Sequence, residues 1–358
     1  MTSEPTPRLA DLLAGTRRLA LVGLAKNTGK TETLAAVLRE LAERDRCVGV
    51  TSIGRDGEEH DVIDARIDKP RIDLQAGSLL ASTDALLRAS GVTHERLAQT
   101  GVRTPLGEVV IARLSERGAV EVAGPSAAED VREVSDAMIS FGAEQVLIDG
   151  AIDRRAASSP DIADGLVMAT GAVLGEDIER VVAATSDAVG LVRLPVTGDA
   201  LADIPPSGAL ADPAPEQGEQ RVMLERRLVL NAEPAEIAEL LRAHPRASTF
   251  LLDGALGEGF LEGLLAARRQ RAGRELRIVV GDPTKVFLTH RGPGWYQHQG
   301  LSLEVRRTIE LKAITVNPVA PLSHRFDSKQ LRELIEMEIP DVPILDVRDP
   351  SYLTAPGF

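Results

Sequence analysis

The chain contains a single cysteine, Cys47, in 358 residues. An intrachain disulfide is therefore excluded, and no thiol nucleophile exists after position 47. Cys47 falls at the start of an apolar segment and reads as core. Excess positive charge is also missing. With 41 basic against 54 acidic residues, the net charge is −13 and the pI is near 5.1. That balance argues against a nucleic-acid partner, because phosphate backbones demand basic patches. No apolar run approaches the roughly 18 residues of a membrane span. The opening segment MTSEPTPRLADLLAG lacks the basic start and apolar core of a signal peptide, so a cytoplasmic protein without membrane contact is expected. Lysine is scarce too, at six residues. What remains, 43% hydrophobic and 27% charged, fits a globular protein long enough for two domains.

Two of the six lysines, Lys26 and Lys30, lie in one short stretch, residues 23–31, with the sequence GLAKNTGKT. An apolar run at 19–22 precedes it and reads as a buried strand. An amphipathic helix follows, with Leu34, Val37, Leu38 and Leu41 on one face. Strand, glycine-containing loop ending in Gly29-Lys30-Thr31, then helix is the context of a phosphate-binding loop (P-loop). Backbone N–H groups and the positive end of the helix dipole meet phosphate oxygens there. The residues expected around a nucleoside triphosphate are Ala25, Lys26, Asn27, Thr28, Gly29, Lys30, Thr31 and Glu32. Lys30 reaches the β- and γ-phosphates as the catalytic cation, and the Thr31 hydroxyl ligates Mg²⁺. The spacing departs from the standard motif: five residues separate Gly23 from Gly29, and Leu24 occupies the usual first-glycine position. Such a loop resembles that of dethiobiotin synthetase-like proteins. Lys26, four residues before Lys30, does not match the signature lysine of MinD-type loops.

Residues 18 to about 195 alternate between strand and helix patterns. Strands are predicted at 48–53, 145–149, 166–169 and 189–194, with a hairpin of 107–113 and 119–122 around 116–118. Ser126 and Glu129 have the spacing of a capping box before a helix carrying Val131, Val134, Met138 and Phe141 on one face. Repeated β–α units imply a mostly parallel sheet covered by helices. A stretch rich in Pro, Gly, Ala and Asp at 195–220 reads as a linker. The α/β pattern then resumes, with strands predicted at 227–230, 249–253, 276–280, 314–316 and 342–347. Helices are expected near 233–243, 257–270 and 328–338. The expected organisation is a P-loop nucleotide-binding domain over 1–197, a linker over 198–219 and a second, Rossmann-like α/β domain over 220–358. The strings VLIDGA at 146–151 and FLLDGA at 250–255 fit either a duplicated unit or a shared solution at a strand end.

Asp149 ends an apolar strand before Gly150, where a P-loop protein places the carboxylate that organises Mg²⁺. Asp153, Arg154 and Arg155 follow; the arginines can pair with phosphate or Asp149, or form a solvated loop. Asp56, Glu58 and Glu59 follow the strand at 48–53. Ligands of α/β sheets bind at such strand ends, and carboxylates crowded together repel unless a cation offsets them. They read either as Mg²⁺ or substrate contacts, with Asp56 and Glu58 the candidate metal residues, or as an acidic surface turn. Segment 289–298 holds the only tryptophan, Trp295, and one of two tyrosines, Tyr296. It reads as a loop that is either a binding surface or an ordinary loop tucked onto its domain. His290 and His298 lack a helical metal spacing, and no structural metal is expected.

Taken together, GLAKNTGKTET, TSIGRDGEEHD, TGVRTPLGEVVIAR, VLIDGAIDR and ASSPDIADGLVMATGA resemble the ATP-binding subunit of the lysine 5,6-aminomutase reactivase family. The resemblance covers most of 18–175 and continues more loosely through ITVNPVAP and IPDVPILDV. It implies a P-loop ATPase using Mg²⁺ and ATP in lysine metabolism. The partners implied are a MutS-like second subunit and an adenosylcobalamin-dependent aminomutase, from which ATP drives release of damaged cobalamin. A homodimer is also compatible. The other reading is a dethiobiotin synthetase-like ligase or kinase acting on a small carboxylate or hydroxyl substrate. A cysteine-dependent glutaminase domain, as in the ATP-dependent amidases of corrin biosynthesis, is excluded by the absence of any cysteine after Cys47.

Overall fold

The computed structural model describes residues 7–53, 71–150, 155–198, 209–211, 221–223, 233–245, 247–252, 254–268, 275–321 and 323–353. The chain divides into two compact units, Met1–Thr185 with Ile309–Phe358, and Ser186–Thr308. Each is built on a mostly parallel sheet flanked by helices.

In the first unit β1 (Arg18–Gly23) lies between two parallel neighbours, β8 (Gln145–Gly150) and β9 (Gly165–Gly171). Beyond β8 the sheet continues in parallel through β2 (Val48–Ser52) and β4 (Leu79–Thr83), then turns antiparallel through β6 (Gly107–Leu114) and β5 (His94–Thr104). Beyond β9 it adds β17 (Glu310–Asn317) and β18 (Ile344–Leu345), both parallel, to make nine strands. The central strands read as unbroken apolar runs because helices cover both faces of such a sheet; Val146, Leu147 and Ile148 of β8 are all fully buried.

Helix α1 (Leu9–Leu12) precedes β1, and α2 (Lys30–Ala42) follows it. The α2 residues Leu34, Val37, Leu38 and Leu41 are buried as their spacing predicts, each worth about 1.5–3 kcal/mol when fully withdrawn from water. Glu40 breaks the apolar stripe and is also fully buried. Its carboxylate accepts from Ala10 N (2.9 Å) and the Tyr352 hydroxyl (2.5 Å), with Arg8 Nε at 3.4 Å. A buried charge survives only when paired and hydrogen-bonded, and this cluster ties both ends of the described chain to α2. Helices α3 (Asp84–Ser90), α4 (Ala128–Ser140), the first part of α5 (Ile178–Val192), α9 (Ser328–Glu338) and α10 (Pro350–Leu353) complete this unit.

Among the described residues, the main sheet of the second unit has five strands in the order β11 (Arg221–Met223), β10 (Ala209–Ala211), β12 (Thr249–Leu252), β14 (Leu276–Val280) and β16 (Leu301–Val305). The last three are parallel to one another, and β10 and β11 add antiparallel pairings. Helices α6 (Pro234–Ala243), α7 (Glu258–Arg268) and α8 (Pro293–His298) belong to this unit, as does the small pair β13 (Leu256–Gly257) and β15 (Val286–Phe287). Phe250, Phe260 and Tyr296 are the largest side chains of its core.

Several sequence expectations are corrected. The pattern assigns all of 220–358 to a second domain, yet Ile309–Phe358 belongs to the first unit. The strands predicted at 314–316 and 342–347 exist as β17 and β18, but β17 pairs with β9 from Glu310↔Gly165 to Asn317↔Gly171. An apolar strand does not announce which sheet it will join. The linker at 198–219 contains β10, which pairs on both sides. Residues 189–192 of the apolar run at 189–194 are the end of α5, and the run forms no strand, the ambiguity inherent in short apolar runs. The hairpin is β5 with β6, closed after Thr104↔Gly107; the segment after residue 117 forms β7 (Gly118–Val120), which pairs with β3 (Ile72–Leu74). Helix α4 starts one residue later than Ser126 requires, with Ala127 at its cap and no side-chain cap. The predicted strand 227–230 lies outside the described residues. Among the described residues, no helix is long and apolar enough to cross a membrane.

Candidate phosphate-binding site

The loop at 23–31 joins β1 to α2 at the C-terminal end of the central strand. Leu24 N still donates to Ala169 O of β9 (2.9 Å) before the chain turns away. Gly23 permits that turn: a Cβ there would sit 2.6 Å from Thr28 Oγ1. Thr28 is buried and donates through Oγ1 to Ala25 O (2.9 Å), closing the middle of the loop. Asn27 (φ 67°) and Gly29 (φ 90°) are both left-handed, a conformation Gly adopts freely and Asn tolerates best among the other residues. Gly29 caps α2 with no side-chain acceptor of its own. Helix geometry leaves the first N–H groups of α2 without intrahelical acceptors, at the positive end of its dipole. Such an end accepts an anion.

Lys30 and Asp149 meet here. The β1–β8 register sets Leu21 opposite Asp149, and Lys30 Nζ lies 2.6 Å from Asp149 Oδ1, each side chain about a quarter exposed (24% and 26%). Asp149 Oδ1 is buried and makes no well-aligned hydrogen bond, so the lysine charge is what offsets it. Ser52 of β2 is opposite Asp149 on the other side, and Ile53 N donates to Asp149 O (3.1 Å). Ala25 and Gly29 are half-buried, while Lys26, Asn27, Thr31 and Glu32 are exposed at the loop and the first turn. Asp56, Glu58 and Glu59 lie outside the described residues, as do Asp153 and Arg154. Among the described residues, no cluster of three or more His, Cys, Asp or Glu side chains is arranged to hold a metal.

The sequence reading missed the side chains that support the loop from β17. Thr33 Oγ1 shares a 2.7 Å hydrogen bond with Thr315 Oγ1. Asn317 Nδ2 donates to Asn27 O (2.7 Å), and Arg348 Nη2 donates to Asn317 Oδ1 (2.5 Å). The strings ITVNPVAP and IPDVPILDV run through the ends of β17 and β18, but the pattern assigns 220–358 to one separate domain and so sets them apart from the loop.

The aromatic segment of the second unit is not a plain loop: Pro293–His298 is helical. Tyr296 is core, at 2% exposure, whereas Trp295 is 38% exposed with Arg291 over its ring at 5.2 Å. Glu258 anchors this segment, accepting from Thr289 Oγ1 (2.6 Å) and His290 N (2.8 Å) and pairing with His290 Nδ1 (2.6 Å). Burial alone would raise the Glu258 carboxyl, but these hydrogen bonds outweigh it and hold it down at about 2. His298 Nδ1 instead faces Gly294 O at 2.7 Å. Cys47 is half-buried just before β2 and donates weakly through Sγ to Gly77 O (3.6 Å). No known family model matches the chain, and no curated protein or solved structure matches it at a significant level.

Proposed function

We propose that this chain binds a nucleoside triphosphate with Mg²⁺ at the 23–32 loop and hydrolyses it. The observation that carries the reading is the 2.6 Å approach of Lys30 Nζ to Asp149 Oδ1 at a loop whose helix start offers unpaired N–H groups. A phosphate chain would draw Lys30 toward the β- and γ-oxygens and free the carboxylate for the cation's hydration shell. The residues fit Mg²⁺. Asp149 Oδ1 is a buried acceptor whose partner is the Lys30 ammonium at 2.6 Å, and Thr31 is exposed in the first turn of α2, the usual place for a hydroxyl ligand. Mg²⁺ would neutralise charge on the transferring phosphoryl group. Lys30 would hold the β- and γ-oxygens, and the loop N–H groups would fix the phosphate position.

The resemblance to the aminomutase reactivase family supports an ATP-driven factor acting on a partner protein. ATP would select one conformation and hydrolysis release it, because the γ-phosphate supplies contacts to one state only. The second unit, with its exposed Trp295 and Arg291, is then the surface offered to the partner. The test is hydrolysis of Mg·ATP by the full chain, alone and with a purified adenosylcobalamin-dependent aminomutase. Stimulation by the aminomutase supports the reading. Stimulation by a small carboxylic acid in its place would favour a ligase or kinase.

A further inference from the structure

We propose that Asn317 and Arg348 are positioning residues for the phosphate loop, so that nucleotide affinity depends on the C-terminal segment of the chain. The inference rests on the nucleotide reading above and extends it to residues far from the loop in sequence.

Asn317 ends β17 and is nearly buried, at 9% exposure. Every polar atom of its side chain is engaged. Nδ2 donates to Asn27 O (2.7 Å), while Oδ1 accepts from Arg348 Nη2 (2.5 Å) and Val319 N (3.2 Å). Chemistry dictates that orientation, because guanidinium and peptide N–H groups only donate and a carbonyl only accepts. Arg348 thus locks the amide, and the amide locks the Asn27 carbonyl. Asp346 sets Arg348 in turn: its Oδ1 accepts from Arg348 N (3.0 Å) and its Oδ2 from Ser328 Oγ (2.5 Å) at the start of α9.

The contact falls where the loop is hardest to hold. Asn27 is a left-handed residue other than glycine, a state that costs of order 1 kcal/mol or more and persists only where its surroundings impose it. The other left-handed residue, Gly29, lies against the same side chain: a Cβ at Gly29 would be 3.1 Å from Asn317 Cβ. With the Asn27 carbonyl pinned toward Asn317, the loop is held in its present form before any ligand arrives. Preorganisation of this kind strengthens binding by removing an ordering cost.

The experiment compares wild type, Asn317→Asp, Asn317→Ala, Arg348→Ala and Arg348→Lys in the full chain. Asn317→Asp keeps the acceptor for Arg348 but turns a charged carboxylate oxygen toward Asn27 O, and Asn317→Ala, which removes the donor without adding charge, controls for that charge. In both variants the Mg·ATP dissociation constant should rise about tenfold beyond what any loss of thermal stability explains, the upper end for one hydrogen bond. KM should rise in parallel with kcat little changed, the pattern of lost uniform binding, and Arg348→Lys should fall between wild type and Arg348→Ala. Amide hydrogen exchange over 25–29 in the ligand-free protein should quicken in Asn317→Asp, with β1 and β8 unchanged. Wild-type affinity and unchanged loop exchange in Asn317→Asp would overturn the proposal, as would affinity losses that merely track lost stability. If wild type binds no nucleotide while loop exchange still responds to Asn317→Asp, the nucleotide reading fails and the positioning role stands.

Discussion

Each unit sends a parallel strand into a loop containing Gly, Thr and Lys, and the two loops end differently. After β1, Gly29-Lys30-Thr31 opens directly into α2, and no side chain caps the helix start. After β14, Gly281-Asp282-Pro283-Thr284-Lys285 closes on itself. Asp282 is buried, and its Oδ1 accepts from Thr284 N (2.8 Å) and from the Thr284 hydroxyl. There the chain's own carboxylate takes a backbone and a hydroxyl donor, whereas the start of α2 has no side-chain acceptor. Residue composition at a strand end therefore does not decide whether a loop can take an anion; unclaimed backbone donors do.

Substitutions in the two units should separate their roles. The largest effect is expected at Asp149. Asp149→Asn keeps the shape but removes the charge proposed to organise the cation, and hydrolysis of Mg·ATP should fall about 100-fold, in line with losing a transition-state charge contact, while nucleotide binding changes much less. Identical Mg²⁺ dependence in variant and wild type would reduce Asp149 to a strand end. Tyr296→Ala should destabilise the second unit by about 3 kcal/mol, the cost of emptying a buried aromatic site, with ATP affinity of the folded protein unchanged. Denaturant unfolding checks it, and a near-neutral result would contradict the burial of Tyr296.

Next in size is Glu258, whose hydrogen bonds hold its carboxyl at about 2 against the opposing effect of burial. In an unfolded chain the group titrates near ~4.3. Its stabilisation is therefore complete above that pH and drains away as the pH falls toward 2. Glu258→Gln should cost on the order of 2 kcal/mol at neutral pH and flatten the loss of stability between about pH 4.5 and 2. Parallel acid unfolding curves for variant and wild type would rule out this role. Asp282→Ala should cost ~1 kcal/mol as a lost cap and leave nucleotide binding untouched; altered ATP affinity in this variant would erase the contrast between the loops. The smallest effect on stability is expected for Trp295→Ala, within about 0.5 kcal/mol for an exposed site, while association with a partner weakens. A variant that instead loses basal hydrolysis while folded would attach this helix to the nucleotide site.

The first unit was the more legible. Leu34, Val37, Leu38 and Leu41 announce α2 by spacing, and 145–149 reads as a strand because its apolar run is continuous and ends at Asp149. The Lys30–Asp149 meeting follows from those two elements. The support from Asn317 and Arg348 was not legible, because nothing local tells β17 to dock beside β9 after a unit of its own intervenes in the chain. Val189 and Leu191 mislead for the opposite reason: their local pattern is strong, but it suits a strand and a helix equally. Segment 289–298 carries glycine and proline, yet Pro293 is the first residue of a short helix, a position where proline is favoured.

The most direct test of the central claim is calorimetric titration of the full chain with Mg·ATP, comparing wild type with Lys30→Ala and Lys285→Ala. Saturable binding is expected for wild type and Lys285→Ala, with a loss of about 100-fold or more, ~3 kcal/mol, in Lys30→Ala at equal folded content. No binding by wild type, or equal affinity in Lys30→Ala, would contradict it.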